Sequence, residues 1–272
     1  MLLERFEKVS YQTHSDIPVA DKITTLQGLV TRYNALSSDE ARNAVLQKLL
    51  DKRPEGGYAR SQATTDALAE ALTEVEEGAA AIEAALKAVN DYLTPGSYVY
   101  AEAPGALEGY LATLGLDVGP ESDYAKLETD EHNRKTAVFY DLNNNKPAEG
   151  YDQATLTDYF NAMVATRLVT QASMDQVNNA ETVADLDGIS WVTMLKDHFD
   201  SVTYAQHSYT QVADKIAELE ALVSRYNALD EDEQGAVLQK VFNGIPYARS
   251  QATLDALAEA LTEVEEGAAA IE

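Results

Sequence analysis

One stretch of sequence occurs twice in this chain and decides how it folds. Residues Tyr58–Glu83 read YARSQATTDALAEALTEVEEGAAAIE, and residues Tyr247–Glu272 read YARSQATLDALAEALTEVEEGAAAIE. The two copies agree at 25 of 26 positions, and only Thr65 and Leu254 differ. Because Ala, Leu and Glu are strong helix formers, this composition predicts a helix in each copy.

The apolar residues of the first copy have the spacing of an amphipathic helix. We expect this helix to continue to Leu93, where Thr94-Pro95-Gly96 ends it. The positions assigned to its apolar face are Leu68, Leu72, Val75, Ala79 and Ile82.

The repetition extends beyond the two copies. Val19–Leu36 matches Val212–Leu229 at 13 of 18 positions, and KPAEGY at 146–151 echoes RPEGGY at 53–58. We therefore predict three modules: A at residues 1–93, a diverged module B at 94–175, and A′ at 176–272. Compared with A, module A′ is expected to be cut short at its C-terminus.

The fold class that follows is all-α, with tandem bundles of three to four helices in an elongated A–B–A′ array. A compact globule of this length has a radius of gyration of roughly 18–19 Å. A measured value above that figure would support an elongated arrangement.

Composition excludes several classes of function. The 272 residues are 45% apolar and 24% charged, as in a globular protein. Asp and Glu number 46 against 20 Lys and Arg, a net charge of −26, which argues against a nucleic-acid partner and an anionic membrane surface. The chain contains no Cys, so thiol catalysis and disulfides are excluded. Because no apolar run approaches about 20 residues, we expect no membrane insertion.

One segment resembles a calcium-binding loop. Its residues fall at positions 1, 3, 5, 9 and 12 of the pattern. However, Lys146 occupies the position of the usual Gly, and an Asp replaces the bidentate Glu. An Asn-rich turn without a metal is the interpretation we favour over a calcium site, so no cofactor is expected. The candidate metal ligands are Asp141, Asn143, Asn145, Glu149 and Asp152.

Aromatic residues supply the candidate recognition site. Tyr98, Tyr100 and Tyr110 cluster around the linker after Leu93, and exposed Tyr is common in recognition surfaces. We interpret the tyrosines that recur between modules as structural anchors. These are Tyr33, Tyr58, Tyr151, Tyr226 and Tyr247.

His14 and His207 occupy equivalent places, each three residues after a Tyr. They form a site with Tyr11 and Tyr204, or they are capping or partly buried residues at a helix start, which is the interpretation we favour. The sequence has neither a GxSxG nor an HExxH motif, so we predict no catalytic residue and no enzyme.

Several short motifs resemble a known type of protein. YNAL at 33–36, VLQKLLDKRPEGGY at 45–58 and QATTDALAEAL at 62–72 are similar to tandem helical modules of large surface proteins of Gram-positive bacteria, notably Paenibacillus-like S-layer-associated proteins. The third helix also resembles that of FIVAR three-helix modules of secreted glycosidases and adhesins. The resemblance implies an extracellular, wall-associated array and carries over no catalytic residue.

We therefore expect a non-enzymatic structural spacer region of a secreted protein at the bacterial cell surface or S-layer. It would act as a monomer within a longer repeat array. The alternative is an adhesive module that binds a host protein or a cell-wall glycan through module B and its Tyr-rich linker.

Overall fold

The computed structural model describes residues 1–94, 102–127, 134–207, 209–248 and 250–269, without the side chains of 61, 187–193, 250 and 269. Within these ranges the chain has eleven α-helices, and its only strands are two residues long. The all-α prediction is confirmed. The chain divides into two compact units, Met1–Ala84 and Ala85–Glu272.

Unit 1 is a helical bundle with a short hairpin. Its core contains Leu29, Val45 and Leu72, one from each of its three longest helices. Ser38 begins the middle helix by accepting a hydrogen bond from the N–H of Ala41 at 3.1 Å, as the Ser-rich run at 37–38 predicts. In chain order the elements are α1 (Leu2–Glu7), β1 (Thr13–His14), β2 (Ile17–Pro18), α2 (Val19–Ala35), α3 (Asp39–Asp51) and α4 (Ser61–Tyr92).

Helix α4 has the length that the sequence predicts, but its apolar face is shorter than expected. Leu72 is fully buried and Val75 is half-buried, whereas Ala79 and Ile82 are exposed. The prediction for those last two residues was wrong, because no element of unit 1 packs beside residues 78–84. The high helix propensity of Ala is sufficient to continue the helix there.

Unit 2 contains modules B and A′. In module B the elements are α5 (Ala103–Thr113), α6 (Arg134–Asn144) and α7 (Gln153–Asn178). A 3-10 helix (Val183–Ile189) leads into module A′, which repeats the element order of unit 1. Its elements are α8 (Ser190–Ser201), β3 (Gln206–His207), β4 (Thr210–Gln211), α9 (Val212–Ala228), α10 (Glu231–Asn243) and α11 (Ser250–Ala269).

Modules B and A′ share one hydrophobic core. Buried residues run without interruption from Leu107 on α5, through Phe160 on α7, to Leu261 on α11. The proposed module boundary at 175/176 lies inside α7, three residues before its end. Sequence repeats and compact units therefore do not coincide in this half of the chain.

The two hairpins were not expected from the sequence. In the first, His14 pairs with Ile17 and the chain turns at Ser15, whose φ is 60°. In the second, His207 pairs with Thr210. Both histidines therefore lie in short strands, five residues before the next helix, and not at a helix start.

Candidate functional site

An asparagine clamp joins the long helix of one module to the loop of the next. Asn90, in the last turn of α4, donates a hydrogen bond from Nδ2 to the carbonyl of Tyr151 at 2.9 Å. The N–H of Tyr151 donates in return to Oδ1 of Asn90 at 2.8 Å. One side-chain amide thus satisfies both backbone groups of a single residue, as a neighbouring β-strand would.

The same clamp recurs twice more in the described part of unit 2. Asn178, the last residue of α7, pairs with the N–H and C=O of Tyr247 at 2.8 and 2.9 Å. Asn145 pairs with the N–H and C=O of Gln206, both at 2.6 Å. The Asn145 clamp attaches module B to the second hairpin of module A′. The Asn178 clamp attaches the end of α7, a helix that begins in module B and crosses the predicted boundary, to the loop before α11.

Each clamped tyrosine also anchors its own loop. The hydroxyl of Tyr151 donates to the carbonyl of Leu142 at 2.7 Å, and that of Tyr247 donates to Val241 at 2.8 Å. Tyr58 in unit 1 makes the equivalent bond to Leu49 at 2.8 Å. The interpretation of these three residues as structural anchors is confirmed.

A buried ion pair lies beside the clamps. Arg167 on α7 donates from Nε and Nη2 to one oxygen of Asp141 on α6, at 3.0 and 2.7 Å. Asp141 is completely buried, and the side chain of Arg167 is 10% exposed. Two charges removed from water in this way are stable only while they remain together.

His207 of module A′ is inserted next to this pair. Its Nδ1 lies 3.6 Å from the same oxygen of Asp141, and its ring packs edge-on against Phe199 at 4.9 Å. Burial lowers the pKa of His207 well below its ordinary value, and the positive charges of Arg167 and Lys215 lower it further. His207 is therefore neutral at pH 7.

A hydroxyl network continues across the same junction. The hydroxyl of Tyr204 lies 2.6 Å from Oγ1 of Thr166 on α7, and Nε2 of His198 lies 2.7 Å from that oxygen. Burial lowers the pKa of His198 and raises the pKa of Tyr204. At neutral pH the network is therefore uncharged and serves to position the two modules.

A cavity of about 220 Å³ opens beside the ion pair. Lys215 lies in its wall and is paired with Glu218 at 3.3 Å and with Gln251. Because both cations of the cavity have acidic partners, the cavity offers polar groups without a net charge. Its other lining residues include Arg167, Thr170, Leu195, Phe199 and Leu254.

Three of the five predicted metal ligands are used in other contacts. Asp141 binds Arg167, Asn145 binds Gln206, and Asp152 accepts a hydrogen bond from the N–H of Thr155 at 2.7 Å to begin α7. Asn143, near the end of α6, is buried, and Glu149 lies in the following turn and is exposed. Among the described residues no three His, Asp or Glu side chains are grouped as a metal site, and calcium binding stays an untested prediction.

The predicted recognition tyrosines are only partly described. Tyr98 and Tyr100 lie outside the described residues, and Tyr110 on α5 is exposed. Tyr11 and His14 are in contact, as in the interpretation that we did not favour, with the Tyr11 hydroxyl 2.8 Å from Nδ1 of His14. Their equivalents Tyr204 and His207 have separate partners, because module B is packed against them.

Sequence reasoning missed the clamping residues and Arg167. The sequence does carry a signal for two of them, since both long helices have Val-Asn in their last turn, at Val89-Asn90 and Val177-Asn178. Both valines are fully buried, which fixes the direction of the asparagine that follows. No comparable pattern marks Arg167.

Comparison of the chain with protein-family models, with curated proteins and with solved structures found no match. Within the described ranges, none of the helices combines the length and the apolar character required to cross a membrane.

Proposed function

We propose that this chain is a non-enzymatic structural repeat segment that holds helical modules in fixed succession. The observation that supports this most strongly is the junction of modules B and A′. There, one core spans both modules, Asn145 of B clamps Gln206 of A′, and His207 of A′ lies 3.6 Å from the buried Asp141 of B. Helix α7 also crosses the predicted boundary and holds Tyr247 through Asn178. Such a junction fits a spacer, because the function of a spacer depends on the fixed position of its modules.

The near-identity of the two copies supports the same proposal. Folding alone does not require 25 matches in 26 positions, because cores tolerate many substitutions of similar volume. Repeated segments of this kind fit an array whose useful properties are reach and number of modules. The acidic surface fits this role, since a charge of −26 opposes self-association.

By resemblance, we place this array at the surface of a Gram-positive bacterium, as part of an S-layer-associated or other cell-surface protein. The alternative function is adhesion, and the exposed ring of Tyr110 is the observation that favours it. In that case Tyr110, with Tyr98 and Tyr100, would contact a wall glycan or a host protein.

Sedimentation with purified Gram-positive cell-wall sacculi tests the proposal. For a spacer we expect the full chain to remain in the supernatant at micromolar concentration and physiological salt. A triple variant, Tyr98→Ala, Tyr100→Ala and Tyr110→Ala, serves as the matched control. Sedimentation of the original chain that is lost in this variant would contradict the spacer function and support adhesion.

A further inference from the structure

Unit 1 and module A′ share individual side-chain contacts as well as the same order of helices and strands. Arg32 pairs with Glu76 in unit 1 as Arg225 pairs with Glu265 in A′, at 2.6 and 2.8 Å. The ring of His14 meets Phe6 edge-on at 5.1 Å, as that of His207 meets Phe199 at 4.9 Å. A surface of A′ therefore has a direct counterpart in unit 1.

In A′ that surface is covered by helices of module B and by the segment that links α7 to α8. Helix α7 packs against α8, the 3-10 helix packs against α8 and α10, and α6 reaches β3. As a result Tyr204 is 3% exposed and Leu238 is 6% exposed. The backbone N–H and C=O of Tyr247 are hydrogen-bonded to the side chain of Asn178.

The counterpart surface in unit 1 is open. Tyr11, equivalent to Tyr204, is 49% exposed, and Leu46, equivalent to Leu238, is 46% exposed. Among the described residues, no side chain is hydrogen-bonded to the backbone N–H or C=O of Tyr58, the residue equivalent to Tyr247. We call this surface the open face and define it by Leu2, Tyr11, His14, Leu46, Leu50 and Tyr58.

We propose that the open face is the docking surface for a further repeat unit of the module B kind. Such a unit supplies a long helix that ends in Val-Asn, followed by an apolar 3-10 turn. Its terminal Asn pairs with the backbone of Tyr58, its helix covers Tyr11, and its 3-10 turn covers Leu46 and Leu50.

The chemistry of the open face favours this occupant over others. A patch with three exposed apolar side chains suits an apolar partner. Tyr58 has the same backbone N–H and C=O that one Asn side chain pairs with at its equivalent, Tyr247. The complementary surface is already present in this chain at the B–A′ junction. The proposal depends on the proposed function only in that an array provides such a unit.

An extended chain tests the proposal directly. A second copy of residues 85–193 is placed before Met1, so that Thr193 precedes Met1 as it naturally precedes Met194. We expect the exchange of the Tyr58 amide hydrogen, followed by NMR, to slow by about tenfold or more, because that amide gains a hydrogen bond and loses contact with water. Circular dichroism confirms that the added copy is folded.

Two variants of the extended chain serve as controls. Asn178→Ala in the added copy should restore fast exchange at Tyr58. Leu46→Glu together with Leu50→Glu should do the same, and in the original chain this pair should leave the melting temperature nearly unchanged because both side chains are exposed.

Equal exchange at Tyr58 in the original and extended chains would overturn the proposal. So would protection that survives Asn178→Ala, or protection that appears only in a dimer on size-exclusion chromatography, which would assign the open face to a second copy. None of these results would affect the sedimentation test, so failure of the docking proposal and failure of the spacer function are distinguishable.

Discussion

At the scale of single residues, the pair Asp141–Arg167 joins two helices of module B at the point where His207 of module A′ is inserted. Both side chains are buried, and Arg167 makes two hydrogen bonds to the carboxylate. Moving these charges out of water costs several kcal/mol per ion, which their attraction offsets only while both are present. The pair therefore fixes the register of α6 against α7 more than it adds stability.

Removing one partner should reveal this dependence. We expect Arg167→Met to lower the free energy of unfolding of unit 2 by about 3–5 kcal/mol, because Asp141 is left buried and unpaired. Arg225→Met is the matched control, since Arg225 holds Glu265 at 2.8 Å at a partly exposed site. That variant should lose about 1 kcal/mol or less. If urea unfolding shows that both variants lose the same free energy of unfolding, burial of the Asp141–Arg167 pair does not raise the cost of removing its arginine.

His207 should make unit 2 sensitive to acid. The pKa of His207 is lowered in the folded protein, by burial first and then by Arg167, Lys215 and His198, whereas in the unfolded chain it is about 6.5. The unfolded state therefore binds a proton first as the pH falls. The stability that neutral His207 gives to unit 2 is fully present above about pH 7. It is lost progressively as the pH falls below about 6.5.

Unfolding in urea at pH 7.5 and 5.5 measures this effect. Between these pH values the original chain should lose about 1 kcal/mol more than His207→Gln. His14→Gln is the matched control, because it removes the same contact with a Phe ring from a histidine that is only half-buried. An identical pH dependence in the original chain and His207→Gln would contradict the account.

At the scale of helices and loops, the clamps act at helix ends. Asn90 and Asn178 lie in the last turns of α4 and α7, and each holds the loop of the next bundle. The loop residue Gly150 is adapted to this contact, since its φ is +88° and an added Cβ would lie 2.9 Å from Oδ1 of Asn90. The clamp thus fixes the position of the following loop relative to the end of the helix.

Loss of the Asn178 clamp should cost more than loss of an exposed asparagine. We expect Asn178→Ala to lower the free energy of unfolding of unit 2 by about 1–3 kcal/mol, since the donor and acceptor of Tyr247 lose their partner. Asn227→Ala, at an exposed position on α9, should be nearly neutral. If the two variants have the same midpoint in urea, Asn178 does not clamp the loop.

The helices could be predicted from the sequence, and the contacts between modules could not. Periodicity of Leu and Val predicts α4, and the end signal at Thr94-Pro95-Gly96 locates its C-terminal end to within a residue. The exposure of Ala79 and Ile82 depends on which neighbours are present, and periodicity carries no such information. Likewise, Asp141 resembles a metal ligand in sequence because its partner Arg167 lies 26 residues away, on another helix.

At the scale of the whole molecule, the net charge of −26 requires an explanation. Many acidic side chains are paired on the helix surfaces, as in Glu74, whose pKa is lowered to about 2 by hydrogen bonds from Lys48 and Lys52. The remaining charge is spread over all three modules. Diffuse repulsion of this kind is screened over about 8 Å at physiological salt.

Added salt should therefore stabilise the chain modestly, and the size of the effect should not depend on which cation is used. We expect sodium chloride and calcium chloride at matched ionic strength to raise the melting temperature equally. A calcium-specific rise of more than about 5 °C, which for a unit of this size corresponds to more than about 1 kcal/mol, would contradict diffuse charge. It would establish a metal site, with Asp141, Asn143 and Asn145 as its first candidates.

The central claim is that modules B and A′ form one rigid unit, and a distance distribution across their junction tests it most directly. Because the chain contains no Cys, Ala112→Cys on α5 and Ala236→Cys on α10 place two spin labels at exposed positions. A pair within A′, Ala217→Cys and Ala236→Cys, gives the width that the labels alone contribute. We predict a single distribution across the junction that is as narrow as this reference and that broadens in Asn145→Ala, Asn178→Ala. A broad or two-peaked distribution in the otherwise unchanged chain would contradict the claim.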